Sequence, residues 1–460
     1  MKLAYGHELD KQKHQDISVS METRLRSMYA VGSSGSGKSS WMAGLIHQDI
    51  HDDVGFALFD VEDRLSDLTL RYLCDAGKKP VVIDPSIGPV PLNILDVPPG
   101  IHPHTVIEGV LQAFRRAWFD AWGPRLEDLL RHSLMALVEA KLTFGELVHF
   151  LSNQAFRERV AELSEDDRVH SYFIDHLRNV PAREWRTWVE STRNKVAAFA
   201  DNPFIGPCLS TDKCIDFLEI MDSGTPVVIN LSEKTLGDSG KLLGMLLVSR
   251  LYQAALRRAP GARPFIVYAD EFQNIASRSF TDLVTRSRKR GVGSVVAHQT
   301  THQAPFADNP DFLSAILANT AVHVVMQVGR EDAERFAKEI FPVSGTAVKR
   351  RQKHPIWGEY GEPKFYSVQE EREMQFQELE TQLQRECFIK LKEADGTRIY
   401  VAEAYETPEP ISTEGQAHDL ASERVRVLGM SLEDISASHV ARVARFSPST
   451  KLSTGRPLRK

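Results

Sequence analysis

The sequence predicts an α/β fold: a mostly parallel central sheet covered by helices, interrupted by an all-α insertion and followed by a C-terminal β-hairpin. Three observations point to it. Apolar runs of strand length alternate with amphipathic segments over residues 24–86, and the alternation resumes near residue 225. A glycine-rich loop joins the first of these strands to a helix. Between the two stretches, residues 103–215 carry helical periodicity and no convincing strand.

The totals are those of a globular protein. The chain has 460 residues, a net charge of −6 and 42% hydrophobic residues, enough for a large core. Length suggests two or three domains, at roughly 150 residues each. There is no run of 18 apolar residues, so no membrane insertion is expected. The opening "MKLAYGHELDKQKHQDIS" has no apolar core of a secretory signal, and a cytoplasmic protein is expected. Cys74, Cys208, Cys214 and Cys387 are scattered, which fits reduced thiols better than a zinc site. The acidic balance excludes a protein coated in basic surface. It leaves room for phosphate contacts concentrated in one channel.

Taken in order, "RLRSMYAV" (24–31) reads as a buried strand and "SSWMAGLIHQDI" (39–50) as the helix after the loop. "VGFALFD" (54–60) and "PVVIDPS" (80–86) are further apolar runs, each meeting an acid at its end. "VIEGVLQAFRRAW", "RLEDLLRHSLMALVEA", "TFGELVHFL" and "WVESTRNKVAAFA" are helical. Trp118, Trp122, Trp185 and Trp188 lie in this part, and at helical spacing they are expected in its own core. Strands resume with "TPVVINLS" (225–232), "PFIVYADEF" (264–272), "GSVVAHQ" (293–299) and "AVHVVMQVG" (321–329). Such uninterrupted apolar strands are buried on both faces. "ECFIKLKEADGTRIYVAEAY" (386–405) reads as a hairpin turning at Asp395-Gly396. The expected division is therefore an α/β core in two parts at 1–102 and 216–405, a helical insertion at 103–215 and a polar tail at 406–460. One short helix is expected near 431–445.

"VGSSGSGKSS" (31–40) fits G-x-x-x-x-G-K-[ST] through Gly32, Gly37, Lys38 and Ser39. In such a phosphate-binding loop the backbone folds so that successive N–H groups face one concavity at a helix N-terminus. Gly32, Ser33, Ser34, Gly35, Ser36, Gly37 and Ser40 would form that cradle with Lys38 and Ser39. Lys38 would reach the β- and γ-phosphates of a nucleotide, and the Ser39 hydroxyl would ligate Mg²⁺.

A phosphate-binding loop of this kind needs an acid at the end of another strand. "FIVYADEFQ" supplies two: Asp270 to hold Mg²⁺, and Glu271 to polarise the attacking water. Asp60 and Asp84 also end strands, but only 270–271 offers both roles. Gln299, after the next strand, is placed to touch the γ-phosphate or orient the water. The run "VTRSRKRGVG" (284–293) carries Arg286, Arg288, Lys289 and Arg290. It fits a solvated helix face, a DNA-phosphate contact or an arginine finger reaching a neighbouring subunit, with Arg288 the candidate finger. A second basic run, "VKRRQKH" (348–354), fits a solvated loop or a pore loop.

The order of these features resembles the HerA/FtsK superfamily of P-loop ATPases, and more narrowly its HerA-like and conjugative coupling (TraG/TraD-like) branch of type IV secretion. The segments that carry the resemblance run from about residue 24 to 405. They include "VPLNILDV", "NKVAAFADNPFI", "YADEFQNIAS" and "SRKRGVGSVVAHQTTHQ". The resemblance implies a RecA-like motor that binds ATP and Mg²⁺ between subunits of a hexameric ring and pulls DNA through a central channel. Lys38, Ser39, Asp270 and Glu271 fall on the family's Walker positions, and Gln299 on its polar strand-end residue. Arg288 falls in the segment where relatives carry a trans-acting arginine. The helical insertion resembles the all-α domain that handles substrate or partner recognition.

Two features depart from the family. The 31 residues before the loop hold neither the β-barrel of HerA proteins nor the membrane helices of coupling proteins. "DVEDR" (60–64) stands where HerA-like relatives often have Asp-Pro-His-Gly-Glu.

The expected function is an ATP-driven translocase of DNA, double-stranded and read without sequence specificity. It would serve mobile-element transfer, or defence or end processing beside a separate nuclease, relaxase or other effector. The alternatives are a secretion or assembly ATPase acting on protein, and a nucleotide-gated ring scaffold that activates a partner.

Overall fold

The computed structural model describes all residues except 10, 12, 178–179, 303–309, 342–347, 351–363, 366 and 447–460. The chain divides into two compact units. Unit 1 comprises Met1–Ile83, Phe217–Lys234 and Ala254–Arg424, and unit 2 comprises Asp84–Asp216, Thr235–Gln253 and the C-terminal segment from Val425.

Unit 1 is built on one sheet of 11 strands. In chain order these are β1 (Lys2–Glu8), β2 (Gln15–Ser18), β3 (Met28–Val31), β4 (Gly55–Asp60), β5 (Val81–Ile83), β6 (Val227–Asn230), β7 (Phe265–Ala269), β8 (Val292–His298), β9 (Val322–Val325), β12 (Glu386–Glu393) and β13 (Gly396–Ala404). Two short strands, β10 (Val348–Arg350) and β11 (Lys364–Phe365), pair separately. The sheet order is β2-β1-β13-β12-β9-β3-β8-β7-β4-β6-β5. From β9 to β5 all neighbours are parallel, and from β9 out to β2 all are antiparallel.

The parallel strands match their sequence pattern. Every residue of β3, β4, β7 and β8 is buried, as expected where helices cover both faces. The antiparallel wing has a different texture. β1 is buried only in part, at Leu3, Ala4 and Gly6, and pairs with β13 in the register Ala4↔Ala404 and Gly6↔Ala402. Gly6 is needed there, because a Cβ would lie 2.2 Å from the Val401 carbonyl oxygen. Neither β1 nor β2 was expected from the sequence. The hairpin was, although its two-residue turn is Ala394-Asp395, one position earlier than read, and Gly396 opens β13 at φ 141°.

Unit 2 is helical. The helices Pro103–Ala117, Pro124–Glu139, Leu147–Ser152, Gln154–Glu162, Ala182–Ala200 and Ile205–Leu209 follow one another between residues 103 and 209. Two of them begin with proline at the first turn, where its missing N–H costs no hydrogen bond. The core is phenylalanine-rich: Phe144 packs on Phe114 at 5.6 Å and on Phe199 at 5.7 Å. Of the tryptophans, Trp118 joins it, stacked on Phe114 at 4.5 Å; the other three do not, contrary to expectation. All four are partly exposed, and three lie beneath guanidinium groups: Trp122 under Arg115, Trp185 under Arg157 and Trp188 under Arg125. Such cation–π contacts let a large ring sit at the boundary rather than inside.

The polar segment after 405 holds two helices, Glu414–Leu428 and Leu432–Phe446, where one short helix was read. The second is anchored by the fully buried Glu146. Glu146 takes hydrogen bonds from Arg442 Nε at 3.0 Å and His439 Nδ1 at 2.6 Å, and caps the turn beginning at Thr143. These partners hold its carboxyl below the usual range despite the opposing effect of burial. The four cysteines are free thiols. No helix among the described residues is long and apolar enough to cross a membrane.

Candidate active site

The site forms at the C-terminal edge of the parallel strands, within unit 1. β3 runs into the loop 32–37, and the helix Lys38–His51 follows. Gly32 is packed so closely that a Cβ would lie 2.5 Å from Ser36 Oγ and 2.9 Å from Met326 Cβ. Gly35 and Gly37 have φ of 80° and 109°, open to glycine and costly for other residues. Ser33 N donates to Gln327 O, and Gly32 N to His298 O, so two of the loop's amides are tied down by the sheet. The amides of Gly35, Gly37, Lys38 and Ser39 have no main-chain acceptor among the described residues. Unpaired amides at a helix N-terminus make a concavity suited to an anion.

Lys38 is buried, and its ammonium turns back onto the carbonyls of Gly32 at 2.5 Å and Ser33 at 3.3 Å. Burial pulls its pKa down, while Glu271, Asp270 and Glu62 oppose the shift. Ser39 Oγ donates to Asp270 Oδ2 at 2.6 Å. Asp270 follows β7, and Glu271 comes next at φ 47°, a left-handed conformation that is strained for a non-glycine residue. Burial pushes the Asp270 carboxyl up to about 6, with Glu271 adding to the rise and Ser39 and Lys38 opposing it. Glu62 is raised as well, by desolvation first and then by Glu271 and Asp60.

The structure thus brings Lys38, Ser39, Asp270 and Glu271 together. It gives the competing acids other work. Asp60 Oδ2 accepts from Ser66 N and Ser66 Oγ, both at 2.7 Å, and Oδ1 from Glu62 N at 2.9 Å. Its oxygens are used to start the helix Arg64–Asp75. β5, the strand before Asp84, is the sheet edge, five places from β3.

β8 lies between β3 and β7, so whatever leaves its end emerges between the loop and the acids. His298, not Gln299, is the strand's last residue. Gln299 is next, half-buried and without a hydrogen bond among the described residues. His298 is fully buried, and burial lowers its pKa to about 4. Its Nδ1 faces the Thr300 carbonyl at 3.0 Å and therefore carries the proton, leaving Nε2 to accept from the Tyr29 hydroxyl.

Two residues near the loop were missed in the sequence. Gln273 Nε2 donates to Glu271 Oε2 at 2.7 Å. Arg385, at φ 73°, donates its backbone N–H to Ser36 O at 2.9 Å and lies 3.4 Å from where a Gly37 side chain would begin. Neither carries a motif; each reaches the site through a local turn.

Arg288 is elsewhere. It belongs to the short 3₁₀ turn Arg288–Arg290 before β8, at the opposite edge of the sheet from the loop, and pairs with Glu22 at 3.1 Å. Seven residues of β8, about 20 Å of strand, separate it from the loop's edge. Of the basic run 348–354, residues 351–354 lie outside the described residues.

Comparison with solved structures places this architecture. The bacterial conjugative coupling protein TrwBdeltaN70, unbound, superposes with a TM-score of 0.60 at 14% identity, over 85% of this chain and 88% of that one. The chain has the fold of the conjugative coupling proteins. The plasmid coupling protein TrwB in complex with ADP and Mg²⁺ gives a TM-score of 0.59 at 15% identity, over 85% and 89% of the two chains. VirB4 of Thermoanaerobacter pseudethanolicus gives 0.50 at 14%, over 88% and 96%. Residues 264–381 match a family model described as the TraM recognition site of TraD and TraG. No curated protein sequence matches. The resemblance to conjugative coupling proteins read from the sequence, and the RecA-like P-loop fold, are borne out. The matched segment of the coupling-protein fold begins just before β7 and contains Asp270, Glu271, Gln273 and Gln299.

Proposed function

We propose that this protein is an ATP hydrolase of the conjugative coupling type, a motor that moves DNA without reading its sequence. One observation carries the reading: Ser39, on the loop's helix, and Asp270, at the end of β7, share a 2.6 Å hydrogen bond across 231 residues of sequence, with Lys38 and Glu271 alongside.

The residues fit a nucleotide with Mg²⁺. The unpaired amides of the loop suit phosphate oxygens. Asp270, pushed up by burial, is a carboxylate in want of a cation. Ser39 Oγ and Asp270 would hold the metal, which, when bound, neutralises charge on the β- and γ-phosphates. Among the described residues no group of three His, Cys, Asp or Glu side chains converges, so phosphate and water would complete its shell. Lys38 would exchange its two carbonyl partners for phosphate oxygens. Glu271 would accept the hydrogen bond of the attacking water and orient it, and Gln299 would meet the γ-phosphate.

The coupling-type proteins similar in fold include one solved with ADP and Mg²⁺, which supports the same assignment here. A ring, hexameric by this reading, would bring Arg288 of one subunit to the nucleotide of the next. Residues 103–215 would serve partner recognition, with a relaxase, nuclease or other effector supplied by a separate chain.

The test is ATP hydrolysis by the purified protein with and without linear duplex DNA, using Lys38→Ala and Glu271→Gln as controls. Stimulation by DNA that disappears in both variants is the expected result. Hydrolysis that needs Lys38 and Glu271 but ignores DNA would retain the ATPase and replace DNA by a protein substrate or a scaffold role.

A further inference from the structure

Glu271 can orient water only if its carboxylate is held in one direction. A glutamate has three side-chain torsions, and the last is broad. What fixes this one is visible in the turn after β7. Glu271 is left-handed at φ 47°, ψ 48°, and its N–H donates to Asp270 Oδ1 at 3.0 Å. The next three residues close a 3₁₀ turn, with Asn274 N bonded to Glu271 O and Ile275 N to Phe272 O.

Phe272 is fully buried, stacked on Phe280 at 5.4 Å and edge-on to His298 at 5.5 Å. The turn is therefore pinned by packing. Pinning it places Gln273, itself buried, so that its amide N–H reaches back to Glu271 Oε2 at 2.7 Å. That is the length of a hydrogen bond to a charged acceptor. The other oxygen, Oε1, accepts no hydrogen bond from the described residues.

We infer that Gln273 is the positioning residue of this site: it ties down Oε2 of Glu271 and so leaves Oε1 as the oxygen presented to the attacking water. The inference rests on the proposed ATPase reading and adds a residue to it. Gln273 touches neither nucleotide nor water in this role; it acts through Glu271. Its effect belongs to the chemical step and not to nucleotide binding, because the cradle of residues 32–40 does not depend on it. Misdirecting a catalytic group by about 1 Å can cost on the order of 100-fold in rate.

The experiment is a double-mutant cycle between Gln273→Ala and Glu271→Gln, read by single-turnover ATP hydrolysis and by binding of a fluorescent ATP analogue. Gln273→Glu is the second variant. It keeps the side chain's size, so the turn is retained, but replaces the donor by an acceptor. The expected result is a fall in turnover of about 10- to 100-fold for both Gln273 variants, with analogue affinity unchanged. Adding Gln273→Ala to Glu271→Gln should then cost nothing further, since the group it positions is already lost.

Wild-type turnover in Gln273→Ala and Gln273→Glu would overturn the inference and leave the ATPase reading intact. So would a further loss in the Glu271→Gln background, or weakened analogue binding, because either would mark Gln273 as a structural residue. Full activity in Glu271→Gln alone would overturn the reading of Glu271 itself, and the role of Gln273 with it.

Discussion

Ser39 Oγ and Asp270 Oδ2 lie 2.6 Å apart, although 231 residues separate them in sequence. This one bond joins the start of the helix Lys38–His51 to the end of β7, across the intervening β8. It forms where the protein gains least from it in isolation: the carboxyl of Asp270 is buried and pushed up to about 6.

That shift makes Asp270 a stability liability without nucleotide. A carboxyl raised from 3.8 to about 6 takes up a proton more readily folded than unfolded. Its contribution therefore favours the folded state at low pH and is lost as pH rises through that window. Asp270→Asn should remove the liability, worth at most about 3 kcal/mol at pH 8. In EDTA and without nucleotide, the variant should melt several degrees above the wild type at pH 8, and the gap should narrow toward pH 4.5. Its ATP turnover should fall by at least about 100-fold, beyond what loss of an outer-shell partner of a metal costs. Thermal melts at the two pH values, with a hydrolysis assay, check both halves.

Gly32 offers a steric prediction. A Cβ there would meet Ser36 Oγ at 2.5 Å and Met326 Cβ at 2.9 Å. Met326 follows β9, which cannot yield without disturbing the pairing of β9 with β3. Gly32→Ala should cost about 1–3 kcal/mol through overpacking and displace the amides of the loop. Binding of a fluorescent ATP analogue should weaken by at least about tenfold, the equivalent of 1.4 kcal/mol. Urea denaturation would report the stability loss separately.

What could be read from the sequence divides along physical lines. The parallel strands and the loop were legible because their signals are local: uninterrupted apolar runs, glycines at fixed spacing, an acid at a strand's end. β1 was not. "KLAYGHE" mixes polar and apolar residues with neither a continuous apolar run nor a clean alternation, and its partner, β13, lies some 400 residues away. The tryptophans misled for a related reason. Helical spacing places a ring on a face, but the guanidinium groups above Trp122, Trp185 and Trp188 make a partly exposed ring tolerable. Asp60 and Asp270 looked alike as strand-end acids. Only the structure shows that Ser66 and the Glu62 backbone occupy the first, while Ser39 meets the second. Gln273 was invisible because its role depends on the left-handed turn at Glu271, which nothing in the residue type announces.

Beneath the site, Arg24 and Asp49 form a buried bidentate pair, Nη1 to Oδ1 at 2.7 Å and Nη2 to Oδ2 at 2.6 Å. Tyr268 in β7 donates to Asp49 Oδ2 at 2.6 Å. The pair links the segment before β3, the helix Lys38–His51 and β7, the elements that carry Lys38 and Asp270. Asp49→Ala would leave the guanidinium buried without its counter-charge and should cost about 3–5 kcal/mol. The midpoint of urea unfolding should fall with little change in slope. Tyr268→Phe removes the two hydrogen bonds of its hydroxyl, donated to Asp49 Oδ2 and accepted from Arg24 Nη2 at 3.1 Å, but leaves the charge pair in place; it should cost less, about 2 kcal/mol.

Arg288 yields the prediction that depends on assembly. It lies at the edge of the sheet away from its own loop, with β8 between, and its partner is the surface residue Glu22. If it serves any nucleotide, that nucleotide belongs to a neighbouring subunit. Arg288→Ala should then lower turnover by about 10³-fold or more, the value of a trans-acting arginine, while leaving analogue binding unchanged. Mixing subunits makes the test specific. Lys38→Ala subunits cannot use nucleotide but still offer Arg288, and Arg288→Ala subunits can use nucleotide but offer no finger. Co-assembled, the two inactive variants should regain hydrolysis well above either alone, at interfaces where an intact Lys38 faces an intact Arg288. Absence of that recovery, in mixtures shown by size and mass to contain both chains, would return Arg288 to its ion pair with Glu22 and leave the trans residue to another arginine.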